Sequence, residues 1–357
     1  MITKLTDKLL IDGYHSPHYE VAGQVFYTKH HAIQHCIDKG WEWPTYKVWP
    51  ESKEFKRPNE DFDESVMTQC QLISDTSKKV RLWYSGGRDS NLILHRMLQQ
   101  RSKLDEIAIY RRFPGRVDEE SNEWDQFGML ATLKDLLKNY GVTIPIQHYD
   151  VLPEHFNYYS SRLDELYFPY TELDFFVTGV HTIAEVQPKI LEDGFVNVMG
   201  HAMPTVADGN FYWTDVCFNL TQADPNVVNF FCDPRNQQVA VNLAYAISDY
   251  GKDVMTGNDR HWQSPIKDLL GFEKTGTILD SKYDALTVPG WSQWHLGRKQ
   301  LVLMANCQRS EIGRQTFDNF VKFYYDYESK HSKYFQNNSI WNRWIGSISE
   351  THRLTEL

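Results

Sequence analysis

The segment "VRLWYSGGRDSNLILHRML", residues 80–98, constrains the fold more than any other part of the chain. It begins with a short apolar run typical of a buried strand. After two adjacent glycines, Gly86 and Gly87, apolar residues recur at the spacing of one helical face: Ile93, Leu94, Met97 and Leu98. One glycine suffices for a tight turn, so a glycine pair between a strand and a helix indicates that a ligand approaches the loop backbone.

Strand and helix patterns continue to alternate after this segment. The runs "DEIAIYRRF", "VTIPIQHYDV" and "GFVNVMG" predict a second, a third and a fourth strand. Between the second and the third, "ESNEWDQFGMLATLKDLLKNYG" predicts a helix with acidic residues in its first turn and Gly141 at its C-terminal cap. This order predicts an α/β fold, in which a parallel sheet carries helices on both faces.

The chain divides into three regions by pattern. Residues 1–60 predict a small N-terminal unit, with a hairpin in "HYEVAGQVFYTK", a short helix in "KHHAIQHCIDKG" and then a polar linker, "PESKEFKRPNEDFDES". Residues 61–215 contain the alternating pattern and predict the ligand-binding α/β domain. Residues 216–357 predict a mostly helical C-terminal part that completes the substrate cleft, with its best helices in "NQQVAVNLAYAISDYG" and "RQTFDNFVKFYYDYESKH".

Composition excludes several classes of function. The chain has 357 residues, of which 41% are hydrophobic and 24% charged, as in soluble globular proteins. It has neither an apolar run of about 18 residues nor the apolar core of a signal peptide, so we expect no membrane partner and a cytoplasmic location. The net charge of −10 lacks the positive field that binds nucleic acid nonspecifically, although a local basic patch is compatible with it.

Cysteine and histidine spacing does not indicate a metal centre. The five cysteines are scattered and form no CxxC pair, which argues against a zinc knuckle, an iron–sulfur cluster or a disulfide framework. His31 and His35 are one helical turn apart, with His30 beside them, a spacing that can bind a metal ion. Because the glutamate of an HExxH motif is missing, a partly exposed helix face is the simpler interpretation.

The loop between the first strand and its helix has the chemistry of an anion site. The glycines have no side chain to block an anion, Ser85 and Ser90 supply hydroxyl donors, and the helix adds the positive end of its dipole. These groups suit a pyrophosphate. Asp89 would repel a bare phosphate, so its presence indicates a bridging Mg²⁺. The alternative is a glycine turn whose polar residues only cap the helix.

The "SGGRDS" segment after an apolar strand resembles the SGGxDS signature of the PP-loop ATP pyrophosphatases, which include asparagine synthetase, GMP synthetase and NAD synthetase. The resemblance covers about residues 79–205 and implies an adenine-nucleotide α-hydrolase fold that cleaves ATP between its α and β phosphates. It implies a pyrophosphate site in the loop, and adenine and ribose contacts near the ends of the first two strands. The residues implied to bind the nucleotide are Tyr84, Ser85, Gly86, Gly87, Arg88, Asp89, Ser90, Tyr110 and Arg111, together with Gly200 and His201 of a later loop.

The pattern is closest to the asparagine synthetase branch, which has a second glycine-and-acid loop after a later strand. Gly200 matches that glycine, but His201 follows it and the nearest acid is Asp208, the second candidate metal ligand beside Asp89. Further on, "FFCDPRNQQVAVNLA" is similar to the branch's "PFLD-R" segment, with Asp233 and Arg235 in register. The branch also neutralises transition-state charge with a basic residue, for which the candidates are Arg298 and Lys299.

The resemblance implies an enzyme that adenylates a substrate oxygen and joins the product to a nitrogen nucleophile, using ATP and Mg²⁺. The acceptor would be a small molecule or a modified base. Ile2 stands where the glutaminase domain of asparagine synthetase has its cysteine, so the amine would come from solution, another subunit or the substrate. Two alternatives remain: sulfur transfer or sulfonucleotide chemistry, against which the missing cysteine motifs argue, and a nucleotide-binding protein without catalysis.

Overall fold

The computed structural model describes residues 10–11, 14–15, 18–26, 29–40, 45–47, 54–84, 88–111, 129–150, 194–200, 204–207, 209–213, 226–253 and 352–355. The elements in these ranges are β1 (Leu10–Ile11), β2 (Tyr14–His15), β3 (His18–Val21), β4 (Gln24–Phe26), α1 (Lys29–Lys39), β5 (Thr45–Lys47), β6 (Glu54–Lys56), α2 (Phe62–Ser74), β7 (Lys79–Trp83), α3 (Arg88–Gln99), β8 (Glu106–Arg111), α4 (Met129–Asn139), β9 (Ile146–Asp150), β10 (Phe195–Met199), β11 (Thr205–Ala207), β12 (Asn210–Tyr212), β13 (Val227–Asn229), α5 (Gln238–Asp253) and β14 (His352–Thr355). Two short 3₁₀ turns, Phe230–Cys232 and Pro234–Asn236, connect β13 to α5.

Five parallel strands form the central sheet, in the order β13-β10-β7-β8-β9. The first of them in the chain, β7, is at the centre; β8 and β9 lie on one side of it, and β10 and β13 on the other. The four strands predicted from the sequence are β7, β8, β9 and β10, so this part of the α/β prediction is confirmed. The fifth, β13, has only three residues, all of them buried.

The apolar face predicted for the helix after the first strand is confirmed. Along β7, Val80, Leu82 and Tyr84 belong to one large core with apolar residues of α2, α3, α4 and α5. The four residues of α3 predicted to share a face are buried there as well. Alternation along a strand turns Arg81 and Trp83 to the opposite face of the sheet.

Helices α3 and α4, which connect β7 to β8 and β8 to β9, end in the same backbone motif. In α4 the amide of Val142 donates to Leu137 at 3.1 Å and that of Gly141 to Lys138 at 3.0 Å, with Gly141 at φ +65°. This is a Schellman C-cap, so the cap predicted at Gly141 is confirmed. The first nine residues of the predicted helix, 120–128, lie outside the described part of the chain. At the end of α3, Arg101 occupies the equivalent left-handed position with φ +54°.

The N-terminal unit has the predicted hairpin and helix. Strands β3 and β4 pair antiparallel around Ala22 and Gly23, whose φ values of +49° and +80° suit a two-residue hairpin turn. Helix α1 ends before Gly40, which has φ +67°. Strand β5 adds to the other side of β3. Tyr19 and Val21 of β3 and Cys36 of α1 share a second core with one side of α5.

A four-stranded sheet joins distant parts of the chain, in the order β11-β12-β14-β6. Strand β14 pairs parallel with β6, which lies within the segment predicted as a linker. The sequence did not indicate this strand, because its partner is almost 300 residues away. In the region predicted to be mostly helical, the described residues contain α5 and also β13 and β14; the helix predicted in "RQTFDNFVKFYYDYESKH" lies outside them. Among the described helices, none combines the length and the apolar character needed to span a membrane.

Candidate functional site

The strand order reverses between β7 and β10, which are neighbours in the sheet. From β7 the chain continues to β8 and β9 on one side, and from β10 to β13 on the other. Because Leu82 pairs with Val198, the loops that leave these two strands begin at nearly the same height. In open parallel sheets, a reversal of this kind opens a crevice at the carboxyl ends of the strands, where ligands bind. The two loops singled out from the sequence both start at this crevice.

The first loop is short and leads directly into α3. Strand β7 ends at Trp83, and α3 begins at Arg88. The loop residues Ser85, Gly86 and Gly87 lie outside the described residues, as do the side chains of Arg88 and Asp89. The backbone of Arg88, Asp89 and Ser90 forms the first turn of the 12-residue helix α3. In this turn the amide hydrogens have no partner within the helix. Ser90 is buried.

Tyr84 anchors the beginning of this loop. Its ring is 3% exposed in the core, and its hydroxyl donates to Asn91 Oδ1 at 3.0 Å. Burial raises the pKa of Tyr84, so the phenol stays protonated and keeps this hydrogen bond. The tyrosine therefore ties the end of β7 to the first turn of α3, and its ring packs in the core instead of lining the crevice. Asn91 was not predicted from the sequence as a site residue. The feature that could have indicated it is a single amide side chain at the start of an apolar helical run.

The ends of β8 and β9 lie at the same edge of the sheet. Tyr110 pairs with Tyr149, and Arg111 pairs with Asp150. The backbone therefore places Tyr110 and Arg111 beside the end of β7, on the side away from β10. The side chains of Tyr110, Arg111 and Asp150 are outside the described part of the structure.

The second loop starts at Gly200, directly after β10. His201 lies outside the described residues, and the chain then enters the β11–β12 hairpin. Ala207 pairs with Asn210, which leaves Asp208 and Gly209 between them, and Gly209 has φ +73°. Asp208 is itself outside the described residues, but an Asp-Gly pair at this position is typical of a two-residue hairpin turn. The geometry thus offers a conformational reason for the Asp208-Gly209 pair.

The similarity to a "PFLD-R" segment corresponds to a compact cluster around the buried carboxylate of Asp233. The carboxylate of Asp233, 3% exposed, accepts from the Arg235 amide at 3.0 Å, from Arg235 Nη2 at 2.7 Å and from Gln69 Nε2 at 2.8 Å. Asp233 thereby fixes the turn that begins α5 and ties it to α2. The sequence indicated Asp233 and Arg235 together, but not Gln69, which is 164 residues away.

Arg298 and Lys299, the candidates for neutralising transition-state charge, lie outside the described residues. His35 packs against Phe26, with ring centroids 5.1 Å apart. Within the described ranges, no group of three or more histidine, cysteine, aspartate or glutamate residues is arranged to hold a metal ion.

The described cysteines are poorly suited to thiol chemistry. Cys36, Cys70 and Cys232 are all buried. Burial raises the pKa of Cys70 to about 12, so its sulfur stays protonated near neutral pH. Cys217 and Cys307 fall outside the described residues.

Comparison with known proteins provides no family assignment. No protein-family model matches the chain, and no curated protein is significantly similar to it. A functional assignment therefore depends on the residues and geometry of the site.

Proposed function

We propose that the protein is a PP-loop ATP pyrophosphatase of the asparagine synthetase type, an AMP-forming carbon–nitrogen ligase. One observation carries the proposal: the "SGGRDS" segment connects a central parallel strand to a helix at the point where the strand order reverses. A glycine pair in a loop elsewhere would say little about function. At this position it would open the loop backbone to a ligand in the crevice.

The donor groups at the start of α3 fit a magnesium pyrophosphate. Helix α3 begins at Arg88, so its first-turn amides follow Gly86 and Gly87 directly. These amides and the hydroxyl of Ser85 would hold the phosphate oxygens, and the helix dipole would favour their negative charge. Asp89, in the same turn, would hold Mg²⁺, which neutralises charge on the phosphates.

The proposed reaction has two steps. An oxygen of the acceptor attacks the α-phosphorus of ATP, forming an O–P bond and releasing pyrophosphate. A nitrogen nucleophile then attacks the activated carbon and releases AMP. The acceptor would be a small molecule or a modified base, and the amine would come from solution, another subunit or the substrate. Arg298 or Lys299 would neutralise charge during the first step.

The second loop favours one alternative, a nucleotide-binding protein without catalysis. An acidic pair is missing after Gly200, and Asp208 precedes the glycine of a tight hairpin turn. A protein of this kind would keep the first loop and bind ATP, but would release no pyrophosphate. Sulfur transfer has less support, because the three described cysteines are buried.

Pyrophosphate exchange tests the proposal. Purified protein is incubated with Mg·ATP and radiolabelled pyrophosphate, together with pools of carboxylic acids, amides or nucleosides. We expect label to enter ATP with one pool only, which would identify the acceptor class. Binding of ATP by calorimetry without exchange in any pool would favour the non-catalytic alternative, and absence of both would refute the proposal.

Two variants test the loop itself. Asp89→Ala should abolish Mg²⁺-dependent ATP binding with little change in thermal stability, because the metal bridge is lost while the helix remains. Gly87→Val should block the phosphates through its side chain, so a fully active Gly87→Val variant would contradict a backbone cradle. Asp105→Asn, at the opposite end of the sheet, is the matched control and should bind ATP normally.

A further inference from the structure

A row of buried and partly buried polar side chains crosses the face of the sheet opposite α3. Central strands of parallel sheets are usually apolar on both faces, yet β7 carries Arg81, 2% exposed, in its middle. The strand register aligns Arg81 with Asn197 of β10 and with Glu106 of β8. Arg81 Nε donates to Glu106 Oε1 at 2.5 Å, and Arg81 Nη1 to Asn197 Oδ1 at 3.3 Å.

Neighbouring side chains extend the network over four strands, β9, β8, β7 and β10, and to the residue before β13. Trp83 Nε1 donates to the same Asn197 Oδ1 at 2.9 Å, while Asn197 Nδ2 donates to the carbonyl of Asn226, just before β13, at 3.4 Å. From β9, Tyr149 donates to Glu106 at 3.0 Å. Its ring reaches Trp83 across β8, with centroids 5.0 Å apart, where Ala108 is the intervening residue.

Net stability is a poor explanation for this row. Replacing a buried ion pair with apolar side chains of similar size is often neutral or stabilising, because desolvation offsets the attraction. Buried polar groups do specify alignment, since a shifted strand leaves them without partners. The parallel pairing of β7 with β10 covers only four residue pairs, so main-chain pairing alone specifies the register weakly.

The register of β7 and β10 also sets the geometry of the candidate site. A shift of two residues keeps each side chain on its face but moves one loop by about 6.6 Å along the strands, at about 3.3 Å per residue. A shift of one residue would turn Asn197 into the apolar core below α3. Asn197 accepts from both Arg81 and Trp83, and a one-residue shift, which turns its side chain to the other face, loses both contacts.

We propose that Arg81, Glu106 and Asn197 are positioning residues that lock the register of β7 and β10, and with it the relative height of the loops that follow. They act on the site without contacting its ligand. Measuring this inference by the affinity for Mg·ATP rests on the proposed function. Measuring it by amide hydrogen exchange in the two loops does not.

The decisive variant is Arg81→Leu/Glu106→Leu, which replaces the ion pair at the centre of the row with two apolar side chains. Its matched control is Asp63→Leu/Arg96→Leu, which removes a partly buried 2.6 Å ion pair between α2 and α3. Three quantities are measured on the full chain: thermal midpoint, amide hydrogen exchange in peptides spanning 84–92 and 199–204, and Kd for Mg·ATP.

We expect the Arg81→Leu/Glu106→Leu variant to melt within about 5 °C of wild type. Exchange in both loop peptides should accelerate at least about tenfold. The Kd for Mg·ATP should weaken by a similar factor, about tenfold, as the binding-competent register becomes less populated. The control should change neither loop exchange nor affinity.

Unchanged exchange in a folded double variant would overturn the inference, whatever the affinity. If wild type binds no Mg·ATP, the proposed function fails, and hydrogen exchange still decides the positioning role. If the double variant does not fold, Trp83→Phe replaces it, because it removes the indole donor to Asn197 while keeping an aromatic ring at this position. Faster exchange in both loops of Trp83→Phe would then support the lock, and unchanged exchange would refute it.

Discussion

Glu106→Leu alone should be far more damaging than the loss of one carboxylate on a surface. Glu106 lies 2.5 Å from the buried guanidinium of Arg81, and the substitution removes the carboxylate that faces this charge. Breaking a buried ion pair on one side costs about 3–5 kcal/mol. Arg81 keeps its hydrogen bond to Asn197 at 3.3 Å and its contacts with the rings of Phe195 and Tyr149, whose centroids lie 4.1 Å and 5.2 Å from the guanidinium carbon. We therefore expect the lower end, a loss of about 3 kcal/mol in the free energy of unfolding.

Equilibrium urea unfolding, followed by circular dichroism, measures this loss. About 3 kcal/mol corresponds to a decrease of about 6 °C in Tm for a large domain. Glu106→Gln is the matched control: its carbonyl can still accept from Arg81 and Tyr149, so it should cost less than Glu106→Leu. Adding Arg81→Leu to Glu106→Leu should restore most of the stability, because no unpaired charge remains. A Glu106→Leu variant as stable as wild type would refute the view that this carboxylate compensates Arg81.

Three further predictions concern other parts of the fold. Arg101→Gly should stabilise the protein by about 1 kcal/mol in urea unfolding, because Arg101 holds the left-handed position of a helix cap, with φ +54°; a loss of stability would mean that its side chain matters more than its backbone. Burial lowers the pKa of His95 to about 4, below its unfolded value of about 6.5, so wild type should lose stability as pH falls from about 6.5 to 4. His95→Gln should reduce that pH dependence in urea unfolding at several pH values, and an unchanged slope would contradict the assignment. Tyr245→Phe should cost about 1–3 kcal/mol, because the Tyr245 hydroxyl lies 2.6 Å from the Phe55 carbonyl and 2.8 Å from the Thr355 carbonyl; Tyr140→Phe, on an exposed ring, is its control.

Much of the central fold could be predicted from local pattern. An apolar run, a glycine pair and a helical apolar face are encoded within 19 residues, and each reports a local preference of the backbone. The same holds for the cap at Gly141 and the hairpin at Ala22 and Gly23. Strand β6 could not be predicted, because its three residues become a strand only by pairing with β14, near the other end of the chain.

In the candidate site, the residue types of the loop could be predicted from the sequence, but the placement of the side chains could not. Ser85, Gly86, Gly87 and Asp89 became candidates from the sequence because phosphate and metal binding require particular residue types at adjacent positions, and their roles stay predictions. Tyr84 shows the limit of this reasoning: its place in the sequence suggested the ligand, while the alternation of the strand buries its ring against Asn91.

By itself, the sequence determined the residue types of the loop and the elements on either side of it, because both follow from neighbours along the chain. Only the tertiary structure decided that the loops after β7 and β10 are adjacent, since strand order depends on how separate units pack. It also decided that Arg81 is buried between Glu106 and Asn197. Those three residues are distant in the chain, and only the register of the sheet brings a guanidinium, a carboxylate and an amide into one row.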